Sequence, residues 1–123
     1  MGYRLSDDVE DHIDDLLLHS GRGDGIEAAR RYSELIQLVM DRIGDEPMII
    51  GSIEIPELKG IRAYPIRLSK LMAARGRRVG SPRHLMIYRV APDGVTEIFG
   101  LVHDQMVLSE AARRMLPPAH PTS

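Results

Sequence analysis

Cysteine is absent from the 123 residues of this chain. Its absence excludes disulfide bonds, thiolate nucleophiles and cysteine-ligated metals, and it fits a reducing compartment. Aromatic residues are also scarce, with four Tyr, one Phe and no Trp. We therefore expect a core built from Leu, Ile, Val and Met, the last of which packs adaptably.

Long apolar runs are missing as well, since no stretch approaches the length that spans a bilayer. The first residues, Met1 to Leu5, lead into an acidic segment rather than into the apolar core of a secretion signal. We therefore expect a cytoplasmic protein. Its length and its 43% hydrophobic content favour one globular domain, predicted over residues 1–116. A flexible, proline-containing tail is predicted over residues 117–123.

Acidic residues disappear in the middle of the chain, although the net charge is only −2. Fourteen Asp and Glu lie in residues 1–57, but none lies between Lys59 and Arg89. Such an asymmetry indicates an anionic partner. A solvated basic face that balances an acidic one explains the same pattern equally well. The nine basic residues of this stretch are Lys59, Arg62, Arg67, Lys70, Arg75, Arg77, Arg78, Arg83 and Arg89.

Helical periodicity follows a short strand that is predicted over Tyr3–Leu5. Ser6 is placed to cap a first helix, whose apolar residues recur at helical spacing from Val9 to Leu17. Three glycines predict the end of this helix and a turn. They are Gly21, Gly23 and Gly25.

A second helix is predicted from Asp24, which forms a capping-box-like pattern with Glu27. Gly44 and Pro47 predict its end. Two helices joined by a short turn form an antiparallel helical hairpin, and neither helix can bury its apolar stripe alone. We therefore expect the hairpin to pack on a sheet.

Strand patterns dominate the second half of the chain, after a segment at 48–59 that is predicted to be mostly loop. Pro92, Asp93 and Gly94 predict a tight turn between the last two strands. The fold class that follows is α+β: an N-terminal strand, an antiparallel helical hairpin packed on a mainly antiparallel sheet, and a short C-terminal helix. The predicted elements are strands over Ile61–Leu68, His84–Val90 and Val95–Val102, and short helices over Ser69–Arg75 and Glu110–Met115.

Three segments of the second half carry a resemblance to a known family. Gly60–Ile66 resembles its Gly-x-Arg strand, Arg83–Val90 its Tyr-Arg-Val strand, and Leu101–Met106 its closing strand with a histidine near the end. With the opening Tyr3–Ser6 and the helical region, the chain resembles the ParE branch of the ParE/RelE superfamily of bacterial toxins over nearly its whole length. It departs from the family at residues 68–82, which look inserted between two strands.

The resemblance implies the toxin component of a bacterial type II toxin–antitoxin system. ParE-like members inhibit growth by binding DNA gyrase, and a co-encoded antitoxin, expected here to be of the ribbon-helix-helix type, neutralises them. RelE-like members instead cleave mRNA on the ribosome. A gyrase-binding toxin without catalysis of its own is the leading interpretation. A ribosome-dependent endoribonuclease and a non-toxic binding module of the same fold are the alternatives.

The candidate site residues differ between these interpretations. As an endoribonuclease, the protein needs a proton-transferring group and cations for the phosphate, for which His103, Arg83 and Arg62 are the candidates, while His84 is a weaker one. No cofactor and no metal site are expected. The candidate residues for binding the antitoxin or the target are Arg62, Arg67, Lys70, Arg75, Arg77, Arg78, Arg83, Arg89 and His103.

Structural roles explain several of these residues equally well or better. His84 and His103 are more often structural or surface histidines than catalytic ones. An arginine on a strand, such as Arg62 or Arg89, often pairs with a helix carboxylate, for which Asp14 and Asp15 are candidates. The two strand tyrosines are expected at the edge of the core rather than as base-stacking platforms, which usually come as clustered exposed rings. They are Tyr64 and Tyr88.

Overall fold

The computed structural model of the chain describes residues 2–6, 9–72, 84–103 and 108–116. These residues form an α+β fold, as predicted. Its three helices are α1 (Val9–Asp45), a 3₁₀ helix (Ile66–Met72) and α2 (Leu108–Met115). Its strands are β1 (Tyr3–Leu5), β2 (Ile53–Glu54), β3 (Arg62–Pro65), β4 (His84–Val90) and β5 (Thr96–His103).

The five strands form one sheet in the order β1-β5-β4-β3-β2. The pairs β2–β3, β3–β4 and β4–β5 are antiparallel, whereas β1 lies parallel to β5. The prediction of a mainly antiparallel sheet with an N-terminal strand is therefore confirmed. Because β1 directly precedes α1 in sequence and runs parallel to β5, the start of α1 lies at the same end of the sheet as the end of β5.

Two core clusters cover the two faces of the sheet. One lies against α1, where Leu35, Ile36 and Val39 pack on Met86 and Tyr88 of β4. The other lies under α2, where Ala111 and Ala112 join a set of apolar strand and loop residues. Residues alternate between faces along a strand, which explains how neighbours on β4 serve opposite cores. The strand and loop residues of the second cluster are Ile55, Ile61, Ala63, Ile87, Phe99 and Val102.

The hairpin that joins β4 and β5 has the predicted turn. The amide of Gly94 donates to the carbonyl of Ala91 over 2.8 Å, and the amide of Val95 donates to the side chain of Asp93 over 3.1 Å. Gly94 has a φ of +86°, a conformation that glycine adopts without strain. The Pro-Asp-Gly sequence therefore sets the register of the two longest strands.

The predicted division of the N-terminal region into two helices separated by a glycine turn is wrong. Helical backbone runs through all of Val9–Asp45, so no separate turn stands at Gly21, Gly23 and Gly25. Tertiary packing holds both ends of the segment, and glycine inside a helix costs only about 1 kcal/mol, which such packing can offset.

Nevertheless, α1 is not straight. A β-carbon on Gly44 would stand 3.0 Å from the carbonyl carbon of Gly2, so the end of α1 touches the start of β1. The seven residues from Gly2 to Val9 span at most about 25 Å, which limits the separation of the two helix ends to roughly 30 Å. A straight helix would separate them by about 52 Å. The chain therefore bends strongly inside α1, and glycines are common sites of helix kinks.

The segment after β3 differs from the prediction. The strand predicted over Ile61–Leu68 ends at Pro65, which cannot donate a ladder hydrogen bond, and 3₁₀ helix begins at Ile66. The helix predicted over Ser69–Arg75 thus starts three residues earlier. Its first part is anchored because the buried hydroxyl of Ser69 accepts from Arg42 over 2.7 Å and bonds to the hydroxyl of Tyr64 over 2.8 Å.

Other predicted features lie partly or wholly outside the described residues. Of the proposed insertion at 68–82, the structure describes residues 68–72, and the predicted tail at 117–123 lies outside the described residues. The predicted last helix is present and starts two residues earlier, at Leu108. Within the part of the chain that is described, no helix combines the length and the apolarity needed to cross a membrane.

Candidate functional site

A cleft of 350 Å³ opens beside the second half of β5, between the start of α1 and α2. β1 pairs only with Thr96–Ile98, so no described strand covers that side of β5 from Leu101 onwards. Gly100 has a φ of +149°, and a β-carbon there would stand 3.2 Å from the sulfur of Met115. The missing side chain thus lets α2 approach the strand. The cleft is lined by His12, His84, Leu101, Val102, His103, Ala111, Arg114 and Met115.

His12 comes to the cleft from the first turns of α1. Its Nε2 donates a hydrogen bond to the carbonyl oxygen of Leu101 over 3.0 Å. That bond satisfies a backbone acceptor on the side of β5 that no described strand covers. It also places the proton of a neutral His12 on Nε2, which leaves Nδ1 as the second polar atom of the ring.

His84 is held by Tyr32, which lies in the second half of α1. The hydroxyl of Tyr32 forms a short hydrogen bond with Nδ1 of His84, and the two rings lie 5.7 Å apart between their centroids. Burial raises the pKa of Tyr32 above its usual range. The phenol therefore keeps its proton and is able to donate it to Nδ1 of a neutral His84, in which case Nε2 carries the ring proton.

His103 lies directly across from His84 on the neighbouring strand. Their rings meet edge to face, with 5.4 Å between centroids. Both side chains are half-buried. The structure thus brings together the two histidines that the sequence proposed, and it adds His12 and the exposed Arg114 to them.

This cleft concentrates groups that exchange protons or bind anions. Imidazole changes its charge near neutral pH, and arginine stays cationic. None of the described lining residues is Asp or Glu. Among the described residues there is also no group of three or more histidines and carboxylates arranged to hold a metal ion.

Arg62, proposed as a catalytic cation with His103, lies at the opposite end of the sheet. It is paired with Tyr88, whereas His103 is paired with His84, four residues or about 13 Å away along β4. Its guanidinium donates to the hydroxyl of Ser52 over 2.8 Å and to the carbonyl of Ser52 over 3.2 Å. Arg62 therefore anchors the loop before β2 and does not reach the histidine cleft.

Arg89 also has a structural contact, but not the one expected with Asp14 or Asp15. Its Nε donates to Glu97 on the adjacent strand over 2.8 Å, and its guanidinium lies 5.7 Å from the ring centre of Phe99. Arg4 of β1 reaches the same carboxylate over 3.5 Å. The pairing is therefore across strands, because opposite residues on neighbouring strands lie closer than the helix does.

The other basic candidates divide between described and undescribed residues. Arg67 and Lys59 are exposed, and neither makes an ion pair within the described part of the chain. The backbone of Lys70 lies in the 3₁₀ helix. The remaining basic candidates lie outside the described residues: Arg75, Arg77, Arg78 and Arg83. Arg83 was also the third residue of the proposed catalytic set, after His103 and Arg62.

The two strand tyrosines lie deeper than expected. Tyr64 and Tyr88 are 1% and 0% exposed, so they belong to the core and not to its edge. Each hydroxyl has a partner, since Tyr64 bonds to Ser69 and Tyr88 donates to the carbonyl of Pro47. Neither ring is available for stacking on a base, as the sequence interpretation anticipated.

Several exposed apolar side chains form a second notable surface, which we call the apolar patch. It lies beside β2, which ends the sheet and has no described strand on its outer side. Leu68 and Gly51 are in contact, because a β-carbon on Gly51 would overlap the Leu68 side chain. The patch consists of Met48, Ile50, Ile53 and Leu68, which are 66%, 95%, 50% and 45% exposed.

Sequence reasoning missed His12, Arg114 and the apolar patch. His12 sits among acidic residues on a predicted helix face, and Arg114 lies in the last helix, so neither had a local pattern that pointed to a site. Their meeting depends on β1 pairing with β5 and on α2 returning over that strand. The patch had a weak signal, since Met48–Ile50 is an apolar run inside a predicted loop.

The chain is thus an α+β protein with a histidine-lined cleft at one end of its sheet and an apolar patch at the other edge. Comparison with protein-family models gives no match for it, and comparison with curated proteins gives none either.

Proposed function

We propose that this chain is a ParE-like toxin of a bacterial type II toxin–antitoxin system, which inhibits growth by binding DNA gyrase and is neutralised by a cognate antitoxin. In this proposal the fold is RelE/ParE-like, and the two arms of the bent α1 form the antiparallel helical hairpin of that family. The toxin acts by binding and not by catalysis.

The observation that carries the proposal is the arrangement of the three family-like segments. The Gly-x-Arg segment supplies β3, the Tyr-Arg-Val segment supplies β4, and the closing segment supplies the end of β5. These strands are neighbours in one sheet, and β1, formed by the family-like opening residues, completes it beside β5. The segments therefore fit together as one architecture and not as scattered similarities.

The apolar patch supports a protein partner for this proposal. Exposed apolar side chains beside a strand edge that no described strand covers are typical of binding sites that accept an extended or helical segment of another chain. Arg67, next to Leu68 in sequence, is exposed and cationic. An antitoxin segment with apolar and acidic residues would match both features.

The first test is growth of a bacterial host that expresses the chain with or without the reading frame next to its gene. The proposal predicts growth arrest by the chain alone and normal growth when the neighbour is an antitoxin. Ile50→Asp should retain arrest but weaken rescue, because it places a charge in the apolar patch. Val90→Asp is the matched control, since Val90 is 40% exposed and lies at the far end of β4. Growth unaffected by the chain would argue against a toxin and for the non-toxic binding module.

An endoribonuclease of the RelE type is the second candidate, and the histidine cleft is what favours it. RNA cleavage by the substrate's own 2′-hydroxyl needs an acid and a base, roles that neighbouring imidazoles can fill. In this candidate His103 is the principal proton-transferring group. Primer extension on translated mRNA tests it. Cleavage that is lost in His103→Ala supports the nuclease, and the absence of cleavage by the unchanged chain removes it.

A further inference from the structure

The histidine cleft has the composition of an anion site, and the gyrase-binding proposal does not draw on it. His84 and His103 lie about 13 Å along the strands from the position of Arg62, and the apolar patch lies at the opposite edge of the sheet, beside β2. Its polar lining consists of three histidines and one arginine, with no described carboxylate among the lining residues. We propose that this cleft binds a small phosphomonoester, with Arg114 and His12 as the principal phosphate ligands.

Arg114 is the fixed positive charge of the cleft. Its side chain is exposed and lines the cleft, and it makes no ion pair within the described residues. The neighbouring Arg113, by contrast, points to Glu57, with 3.6 Å between its Nη2 and the carboxylate. A planar guanidinium offers two parallel donors to a phosphate, which makes the contact both strong and oriented.

His12 adds a donor from a different element. Because its Nε2 is bound to the carbonyl of Leu101, the ring is held in place at the edge of the cleft. The remaining Nδ1 is the ring atom that can donate to an anion when it carries a proton. The Tyr32 hydroxyl likewise holds the ring of His84, which lies against His103.

The arrangement favours phosphate over carboxylate. A carboxylate is satisfied by one guanidinium fork, whereas the several oxygens of a phosphate accept from donors that surround them. Here α1, the β4–β5 pair and α2 each contribute a nitrogen-bearing side chain to one cleft. The α1 and α2 helices that carry two of these donors pack against the sheet that carries the others.

The size of the cleft and its apolar walls define the rest of the ligand. A volume of 350 Å³ exceeds what one phosphate fills and is near the lower end of small-molecule sites. Leu101, Val102, Ala111 and Met115 provide apolar surface beside the cationic groups. The ligand class is therefore a phosphate attached to a compact, partly apolar body, such as a mononucleotide.

The test is a titration of the purified chain, labelled with ¹⁵N in its histidine rings, followed by NMR. Adenosine monophosphate should shift ring resonances of His12, His84 and His103 at sub-millimolar to millimolar concentration, and adenosine should not. Arg114→Gln should weaken binding by at least tenfold, since a charge-assisted hydrogen bond is lost. Arg113→Gln, which removes the same charge one residue away, should bind like the unchanged chain.

Several results would overturn the proposal. They are equal binding by Arg114→Gln and the unchanged chain, equal shifts with adenosine and with adenosine monophosphate, or binding of a short RNA far more tightly than of any mononucleotide. The last result would make the cleft an RNA site. Because Arg114 is exposed, its replacement should leave the melting temperature unchanged, and His12→Asn serves as a second variant with the same expected loss. A gyrase result of either sign does not affect this test, so the two proposals fail separately.

Discussion

At the residue scale, side-chain hydroxyls join the helical layer to the sheet. Thr96 is fully buried on β5, and its hydroxyl donates to the carbonyl of Ile43 over 3.1 Å. That carbonyl belongs to the last turn of α1, where the backbone acceptors lack partners inside the helix. Tyr32, Tyr64 and Tyr88 make comparable contacts to His84, Ser69 and Pro47.

Thr96→Val tests how much such a hydrogen bond contributes to the free energy of unfolding. The substitution keeps the side-chain shape but leaves the buried carbonyl of Ile43 without its partner, which costs about 1–3 kcal/mol. We expect a corresponding fall in the free energy of unfolding, measured with urea at an unchanged m-value. A variant as stable as the unchanged chain would show that another group satisfies this carbonyl.

Asp93 gives a pH-dependent prediction. Hydrogen bonds from Arg4 and from the amide of Val95 lower the pKa of this carboxyl. A carboxyl whose folded pKa is below its unfolded value of about 3.9 stabilises the fold above that value and loses its effect as the pH falls through the folded pKa. The contribution is small, because Arg4 and Asp93 are exposed.

The measurement compares the unchanged chain with Asp93→Asn, which keeps an oxygen acceptor for Val95 but removes the charge. We expect the unchanged chain to have the higher urea midpoint at pH 6, and the difference to shrink from about pH 4 downwards. A difference that stays constant down to pH 2.5 would contradict the ion-pair explanation.

At the element scale, the strands were more predictable than the helices. Tyr3–Leu5 and His84–Val90 have the predicted bounds, since alternation and a Pro-Asp-Gly turn are local signals. The course of α1 was not predictable from local pattern. Its glycines indicated a break, but whether they end a helix or bend it depends on the packing of both arms against the sheet.

The bend of α1 can be measured as a distance. The chain has no cysteine, so spin labels at Glu10→Cys and Asp45→Cys, both exposed sites at the ends of the helix, are specific. A straight helix would place these two residues about 52 Å apart. The bend predicts a mean separation below about 40 Å by pulsed electron–electron resonance, because Gly44 touches Gly2 and the intervening residues are few.

A second label pair is the control for that experiment. Labels at Glu27→Cys and Asp41→Cys, both exposed sites in the second half of α1, should give the distance of a regular helix, about 21 Å between the two backbone positions. A peak near 50 Å for the Glu10 and Asp45 pair would contradict the bend, and with it the helical hairpin in the proposed architecture.

At the scale of the whole molecule, the candidate site arises from long-range order that no local pattern contains. His103 and His84 were candidates because strand ends are recognisable in sequence. His12 and Arg114 join them because β1 pairs in parallel with β5 and α2 returns over that strand. The basic stretch does not form one surface in the described residues, since Arg62 and Arg89 are engaged with Ser52 and Glu97.

The two proposed functions belong to two separate surfaces of the molecule. The apolar patch at the β2 edge suits a protein partner, and the histidine cleft beside β5 suits a small anion. Because the two surfaces lie apart, variants at one should leave the other unaffected. Each is therefore a control for the other in binding experiments.

Inhibition of DNA gyrase supercoiling by the purified chain tests the central proposal most directly. We predict that the chain blocks conversion of relaxed to supercoiled plasmid in a concentration-dependent manner, and that prior addition of the cognate antitoxin restores the activity. Arg114→Gln should inhibit as well as the unchanged chain, since the cleft is not the gyrase-binding surface in this proposal. Full supercoiling activity at a large molar excess of folded protein would contradict it.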